Sequence, residues 1–276
     1  MPGDDRRDNP PPHPKKRFGQ NFLTDRNLIR KIVATGGVKE NDIVLEVGPG
    51  RGALTEGLLE AGAKVIAIEA DKDLADILKA RFPSDRFSLI MSDALKVSFS
   101  GIAEEYKTRL KTVSNLPYNI SGPILTKFIN ERKAFTLLVL MFQKEVAERI
   151  VARPGTKDYG ILSVLSQVWA DVKIEFHVSR NLFKPRPKVD SSIVSFKILD
   201  EPKVRLDDEE FFKSVVKSAF GTRRKMLSNA LGTLGLDREL VFNALAASGI
   251  DPKRRGETLT LQEFGTLANT LLQLTP

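Results

Sequence analysis

Apolar residues in this chain gather into short runs whose polar spacing changes from one run to the next. "DIVLEV" (42–47), "KVIAIE" (64–69), "FSLIM" (87–91), "LKTVSN" (110–115) and "FTLLVLMF" (135–142) are rich in Ile, Leu and Val. Runs of that kind are strands, and near-continuous apolar ones belong to a sheet covered on both faces. Between them, 53–60, "KDLADILKARF" (72–82) and "GPILTKFIN" (122–130) read as helices, as does 27–38, ending at the Gly36–Gly37 pair. Strands alternating with helices predict an α/β fold with a doubly wound, mostly parallel sheet. Segments 143–152 and 159–170 are further helices, and 171–179 and 191–199 are placed to pair as antiparallel strands at the sheet edge. After "DEP" (200–202) the pattern is helical only, with Gly and Asp-Pro breaks near 221, 235 and 251–252. The predicted organisation is a disordered tail (1–14), an α/β domain (15–202) and a small all-α domain (203–276).

Composition narrows the chemistry. The 276 residues contain no cysteine, which excludes disulfides, thiolate catalysis and zinc–thiolate sites. The two histidines, His13 and His177, lie far apart in sequence, so no metal site is expected. No apolar run approaches the ~20 residues of a membrane helix, and the polar, Pro-rich start has no signal-peptide core, so a cytoplasmic location is expected. Forty-three Lys and Arg against 35 Asp and Glu give a net charge of +8, which suits a polyanionic partner. The excess is clustered in "KKR" (15–17), "KPRPK" (184–188), "RRK" (223–225) and "KRR" (253–255). Lys184, Arg186, Lys188, Arg223, Arg224, Lys225 and Arg254 are the candidate phosphate contacts of a nucleic-acid surface.

"EVGPGRG" (46–52) lies between the first buried strand and its helix. Glycines there let a ligand approach the backbone and leave helix N–H groups facing a crevice. Gly48 and Gly50 with Ala53 also fit a dinucleotide loop, so an NAD-dependent oxidoreductase is an open alternative. Glu69, ending the second strand, is placed to accept from ribose hydroxyls, or is a surface acid. Asp93, followed by Ala94 after the third strand, is placed to accept from an adenine amine, or is a helix cap. Gly48, Glu69, Asp93 and Asn115 all fall at the C-terminal ends of successive strands, the ligand-binding edge of an open α/β sheet.

"NLPY" (115–118) ends the fourth strand, because Pro117 fixes φ and removes a backbone donor. A dehydrogenase needs an acid or base here; this motif offers acceptors and a stacking plane. An adenine exocyclic amine is a poor nucleophile, since its lone pair is delocalised into the ring. The Asn115 side-chain oxygen and the Leu116 carbonyl, presented by the turn at Pro117, are two acceptors for its hydrogens, and Tyr118 offers a plane for the purine.

With these residues the chain resembles the small-subunit ribosomal RNA adenine dimethyltransferases. "KRFGQNFL" (16–23), "EVGPGRGALT", "NLPYNIS", "LFKPRPKVDSSIV" (182–194), "FGTRRKMLSNAL" (220–231) and "RGETLTLQEF" (255–264) carry the resemblance, in that family's order. It implies a Rossmann-like class I methyltransferase fold, S-adenosylmethionine as cofactor and N6,N6-dimethylation of two adjacent adenosines near the 3′ end of 16S rRNA, on an assembling subunit. It also implies a monomer whose 15–202 domain binds the cofactor and whose helical domain binds RNA. Gln20, Asn21 and Leu23 match the cofactor-lid block, and Gly48, Gly50, Glu69, Asp93, Ala94 and Asn115 the cofactor site. Asn115, Leu116, Pro117 and Tyr118 match the target-amine motif, and Phe183 an aromatic that stacks on the target base opposite the tyrosine. The rivals are a 23S rRNA adenine methyltransferase of the same fold and an assembly factor that binds RNA without catalysis.

Overall fold

The computed structural model describes residues 20–222 and 225–275. In chain order its elements are β1 (Phe22–Leu23), α1 (Arg26–Thr35), β2 (Ile43–Val47), α2 (Ala53–Glu60), β3 (Lys64–Glu69), α3 (Lys72–Arg81) and β4 (Phe87–Met91). There follow α4 (Phe99–Glu105), β5 (Leu110–Asn115), α5 (Ser121–Asn130), β6 (Phe135–Gln143), α6 (Lys144–Ile150), α7 (Ile161–Trp169), β7 (Ala170–Val178), β8 (Phe183–Lys184) and β9 (Ser191–Ile198). The helices α8 (Glu209–Gly221), α9 (Leu227–Ala230), α10 (Arg238–Ala247) and α11 (Leu261–Leu274) complete the described chain.

Seven strands form one sheet in the order β4-β3-β2-β5-β6-β9-β7. The first four pairings are parallel and the two involving β9 are antiparallel. The chain winds outward from β2 to β4, then crosses to β5 on the other side of β2. That reversal opens a crevice at the C-terminal ends of β2 and β5. The two late strands do pair with each other, but β9 is inserted next to β6 and only β7 lies at the edge. Burial explains the order. Ile193, Val194 and Phe196 of β9 are fully buried, whereas β7 is polar at alternate positions, as an edge strand should be.

Alternate side chains of the strands feed two apolar layers. Val44, Val65, Val113 and Val139 pack with α1 and α2 on one face. Leu45, Ile66 and Leu138 belong to the layer on the other face, which also takes in Phe212, Val216 and Phe264 from the C-terminal helices. From α8 onward every described element is helical, yet these helices share that apolar layer rather than closing over a separate one. Arg132, buried before β6, seals the junction. Its guanidinium stacks 3.5 Å from the Trp169 ring and donates to Glu209 at 2.7 Å.

Two features escaped the sequence pattern. Helix α4 is short, and its N-terminal amides are satisfied from afar: Glu131 accepts from the N–H groups of Phe99 and Ser100 at 2.7 and 2.9 Å. Strands β1 and β8 are two residues each and form a separate antiparallel ribbon, Phe22 opposite Lys184 and Leu23 opposite Phe183.

Candidate active site

The loop leaving β2 turns three times through the left-handed region, at Gly48 (φ 70°), Gly50 (φ 59°) and Gly52 (φ 79°). The first two positions are also crowded. A Cβ on Gly48 would stand 3.1 Å from the Pro117 ring, and one on Gly50 would stand 3.0 Å from the Phe22 ring. The glycine loop therefore touches the Asn115–Tyr118 segment on one side and β1 on the other, at distances tighter than a side chain usually tolerates.

These segments enclose a cavity of about 340 Å³. Gly48, Gly50, Glu69, Asp93 and Ala94 line it, as do Asn115, Leu116, Pro117 and Tyr118, and Gln20, Asn21 and Leu23 close it. Residues drawn from five separate stretches of sequence thus meet in one crevice.

Glu69 ends β3 and is only 7% exposed. Its oxygens accept from the Asp71 amide at 2.9 Å and the Gly50 amide at 3.3 Å. Burial raises its pKa, and those two amides pull it back. Asp93 is exposed at the rim, where its Oδ1 accepts from the Leu95 amide at 2.9 Å in a turn and not at a helix cap. Glu46 was not anticipated. It lines the cavity from within β2, is fully buried and accepts from the Thr55 hydroxyl at 2.6 Å. Burial pushes its pKa up to about 8, and the neighbouring Glu69 adds to the rise.

In the Asn115–Tyr118 segment each side chain has a different anchor. Asn115 donates through Nδ2 to the Asn21 carbonyl at 3.1 Å. That bond sets which way the amide faces: its nitrogen is committed to β1's approach, and among the described residues nothing donates to its oxygen. Leu116 is buried in the apolar layer under the sheet. Pro117 (φ −59°, ψ 125°) takes the chain out of the strand into the 3-10 turn Tyr118–Ile120. Tyr118 is half-buried, and its hydroxyl lies 2.5 Å from the Ser191 hydroxyl. Burial raises its pKa, with the serine bond opposing.

Strand β1 is the clamp across this crevice. Gln20 Nε2 donates to Asp71 at 3.1 Å, and the Arg51 guanidinium lies 4.6 Å over the Phe22 ring. Leu23 pairs with Phe183 through the ribbon. Phe183, the residue expected to stack on the target base, is 2% exposed, belongs to the apolar layer with Leu23, Val178 and Ile193, and is not among the cavity residues.

The basic loop after β8 is different in character. Lys184, Arg186 and Lys188 are all exposed, and so is Lys225. Arg254, also expected among the phosphate contacts, is partly buried and already paired. Its guanidinium forks onto both Glu263 oxygens and also donates to Thr258, stitching the loop before α11 to that helix's capping box. Arg223 and Arg224, like the tail and residues 15–19, lie outside the described residues.

Two solved structures share this architecture over most of the chain. A dimethyladenosine transferase from Plasmodium falciparum superposes with a TM-score of 0.74 at 27% identity, covering 89% of this chain and 95% of that one. The 23S rRNA methyltransferase ErmE does so with a TM-score of 0.68 at 26% identity, covering 92% and 100%. Fold and crevice together define a Rossmann-like class I methyltransferase. The profile of the ribosomal RNA adenine dimethylases matches residues 13–273, and the chain belongs to that family. Ribosomal RNA small subunit methyltransferase A of Clostridium botulinum is 45% identical over 260 residues, 94% of each chain. That of Syntrophotalea carbinolica is 46% identical over 258 residues, 94% of this chain and 97% of its own. Membership of this family sets aside the dinucleotide reading of the glycine loop.

Proposed function

We propose that this protein transfers methyl groups from S-adenosylmethionine to N6 of two adjacent adenosines near the 3′ end of 16S rRNA, giving N6,N6-dimethyladenosines. It acts as a cytoplasmic monomer on the immature small subunit. The identity to small-subunit enzymes over nearly the whole chain favours this substrate over 23S rRNA. The cavity fits the cofactor: glycines at positive φ with little room for a side chain, a buried carboxylate at the end of β3 and an acid at the rim after β4. In this reading Gly48 and Gly50 admit the amino-acid portion, Glu69 accepts from the ribose, and Asp93 with Ala94 meets the adenine. Gln20, Asn21 and Leu23 close over it.

S-adenosylmethionine supplies an electrophilic methyl group on a sulfonium. The chain's own residues prepare the nucleophile. The Asn115 oxygen and the Leu116 carbonyl accept from the two amine hydrogens, drawing nitrogen toward a tetrahedral shape and localising its lone pair. Tyr118 stacks on the extruded purine, an interaction of about 1–3 kcal/mol per base that offsets a flipping cost of a few kcal/mol. Holding amine and donor in line contributes ~7–11 kcal/mol when attack geometry is good. No strong base is needed beforehand, because the nitrogen becomes acidic only once it carries the new methyl group. Exposed Lys184, Arg186, Lys188 and Lys225 contact RNA phosphates.

The observation that carries this reading is the Asn115 amide: its nitrogen is held by the Asn21 carbonyl at 3.1 Å, which leaves its oxygen as an acceptor in the crevice. Asn115→Ala should leave the cofactor dissociation constant within about twofold while kcat falls about a hundredfold or more. Equal loss of both, by calorimetry and methyl transfer, would reduce Asn115 to a turn former.

A further inference from the structure

Strand β9 begins with two serines at positions that are fully buried. Ser191 is held between Gln143 of β6 and Val178 of β7. Side chains alternate across a strand, so Ser191 shares a face with Ile193, in the apolar layer that also contains Val178 and Phe183. A hydroxyl at such a position costs about 1–3 kcal/mol unless it is paired. Its partner is the Tyr118 hydroxyl at 2.5 Å, reached across 73 residues of sequence.

That bond grips the tyrosine at the tip farthest from its backbone. The hydroxyl oxygen lies on the Cβ–Cγ axis, so the bond fixes where that axis points and leaves rotation about it free; the turn carrying Tyr118 has no buried residue of its own to do this. At the other end, Ser121 Oγ donates to the Tyr118 carbonyl at 3.0 Å. The ring is thus tied at both ends, one tie being a rigid central strand. Ser191 itself does not line the cavity. Burial raises the pKa of the phenol, so the group that meets Ser191 is a neutral hydroxyl near neutral pH.

We propose that Ser191 is a positioning residue for methyl transfer: its buried hydroxyl fixes the direction of the Tyr118 side chain, and with it the place of the ring against which the target adenine stacks. This rests on the assignment of Tyr118 above, and the test separates the two. Tyr118→Phe and Ser191→Ala each remove one end of the same bond. Each should lower kcat about tenfold, with cofactor affinity unchanged, and the double variant should be no slower than either single one. An RNA fragment with 2-aminopurine at the target position gives a second readout, since its fluorescence is quenched by stacking. Quenching by saturating protein should weaken in both single variants. Wild-type kcat and wild-type quenching in both would overturn the proposal, as would defects that multiply in the double variant. If Ser191→Ala does not fold, Tyr118→Phe decides alone. Tyr118→Ala is the control. If it retains full activity, the stacking role itself is wrong; if it is inactive while Tyr118→Phe is normal, only the tether is.

Discussion

Glu46 is an ionisable carboxyl buried near the end of an apolar strand, with no cationic partner among the described residues. Its pKa is raised from 4.5 to about 8, first by burial. The folded protein therefore holds a proton that the unfolded chain has released, and stability falls as pH rises from about 4.5 to 8, levelling off above that. Glu46→Gln keeps an acceptor for Thr55 and removes the charge. In the ligand-free protein the melting temperature of this variant, relative to wild type, should rise between pH 5 and pH 9. A constant difference across that range would mean that Glu46 ionises normally. As an acid inside "DIVLEV", Glu46 was visible as an anomaly, but Thr55, which satisfies it, lies on the next helix and nothing in the spacing points to it. Ser191 is the same case. Asn115 was legible because Pro117 forces the strand to end beside it, whereas the anchor of its amide, the Asn21 carbonyl, is a backbone atom that no side-chain pattern announces.

Among the elements, the parallel strands were readable because burial on both faces leaves an unmistakable apolar run, and their ends located the crevice. The ribbon of β1 and β8 was not, since two residues cannot show a period. Phe183 was assigned to the target base through the family resemblance; its pairing with Leu23 in that ribbon and its burial were not legible in the sequence. The pairing of Arg254 was not foreseen for a different reason: its partner Glu263 is the N3 residue of the α11 capping box. What remains of the basic surface near the crevice is the exposed loop after β8. Replacing Lys184, Arg186 and Lys188 together by Ala should weaken RNA binding and make the slope of log K against log salt shallower by about 2, if these cations meet single-stranded phosphates. An unchanged slope would place the RNA elsewhere.

For the molecule as a whole, the crevice is a place where distant segments are held to one another: β1 by Asp71 and Asn115, the glycine loop by Pro117 and Phe22, the tyrosine by Ser191. The C-terminal helices extend the apolar layer beneath the same sheet, and Arg132 joins them to it through Trp169 and Glu209. A rigid frame of this kind suits a reaction that depends on placing a weak nucleophile, and has little to offer one that depends on a strong base. The direct measurement is to incubate the protein with labelled S-adenosylmethionine and small ribosomal subunits that lack the modification, then map the methylated nucleotides. N6,N6-dimethyladenosine at two adjacent positions near the 3′ end of the small-subunit rRNA is the predicted result. Label in large-subunit RNA alone, or binding to the particle without transfer, would contradict it.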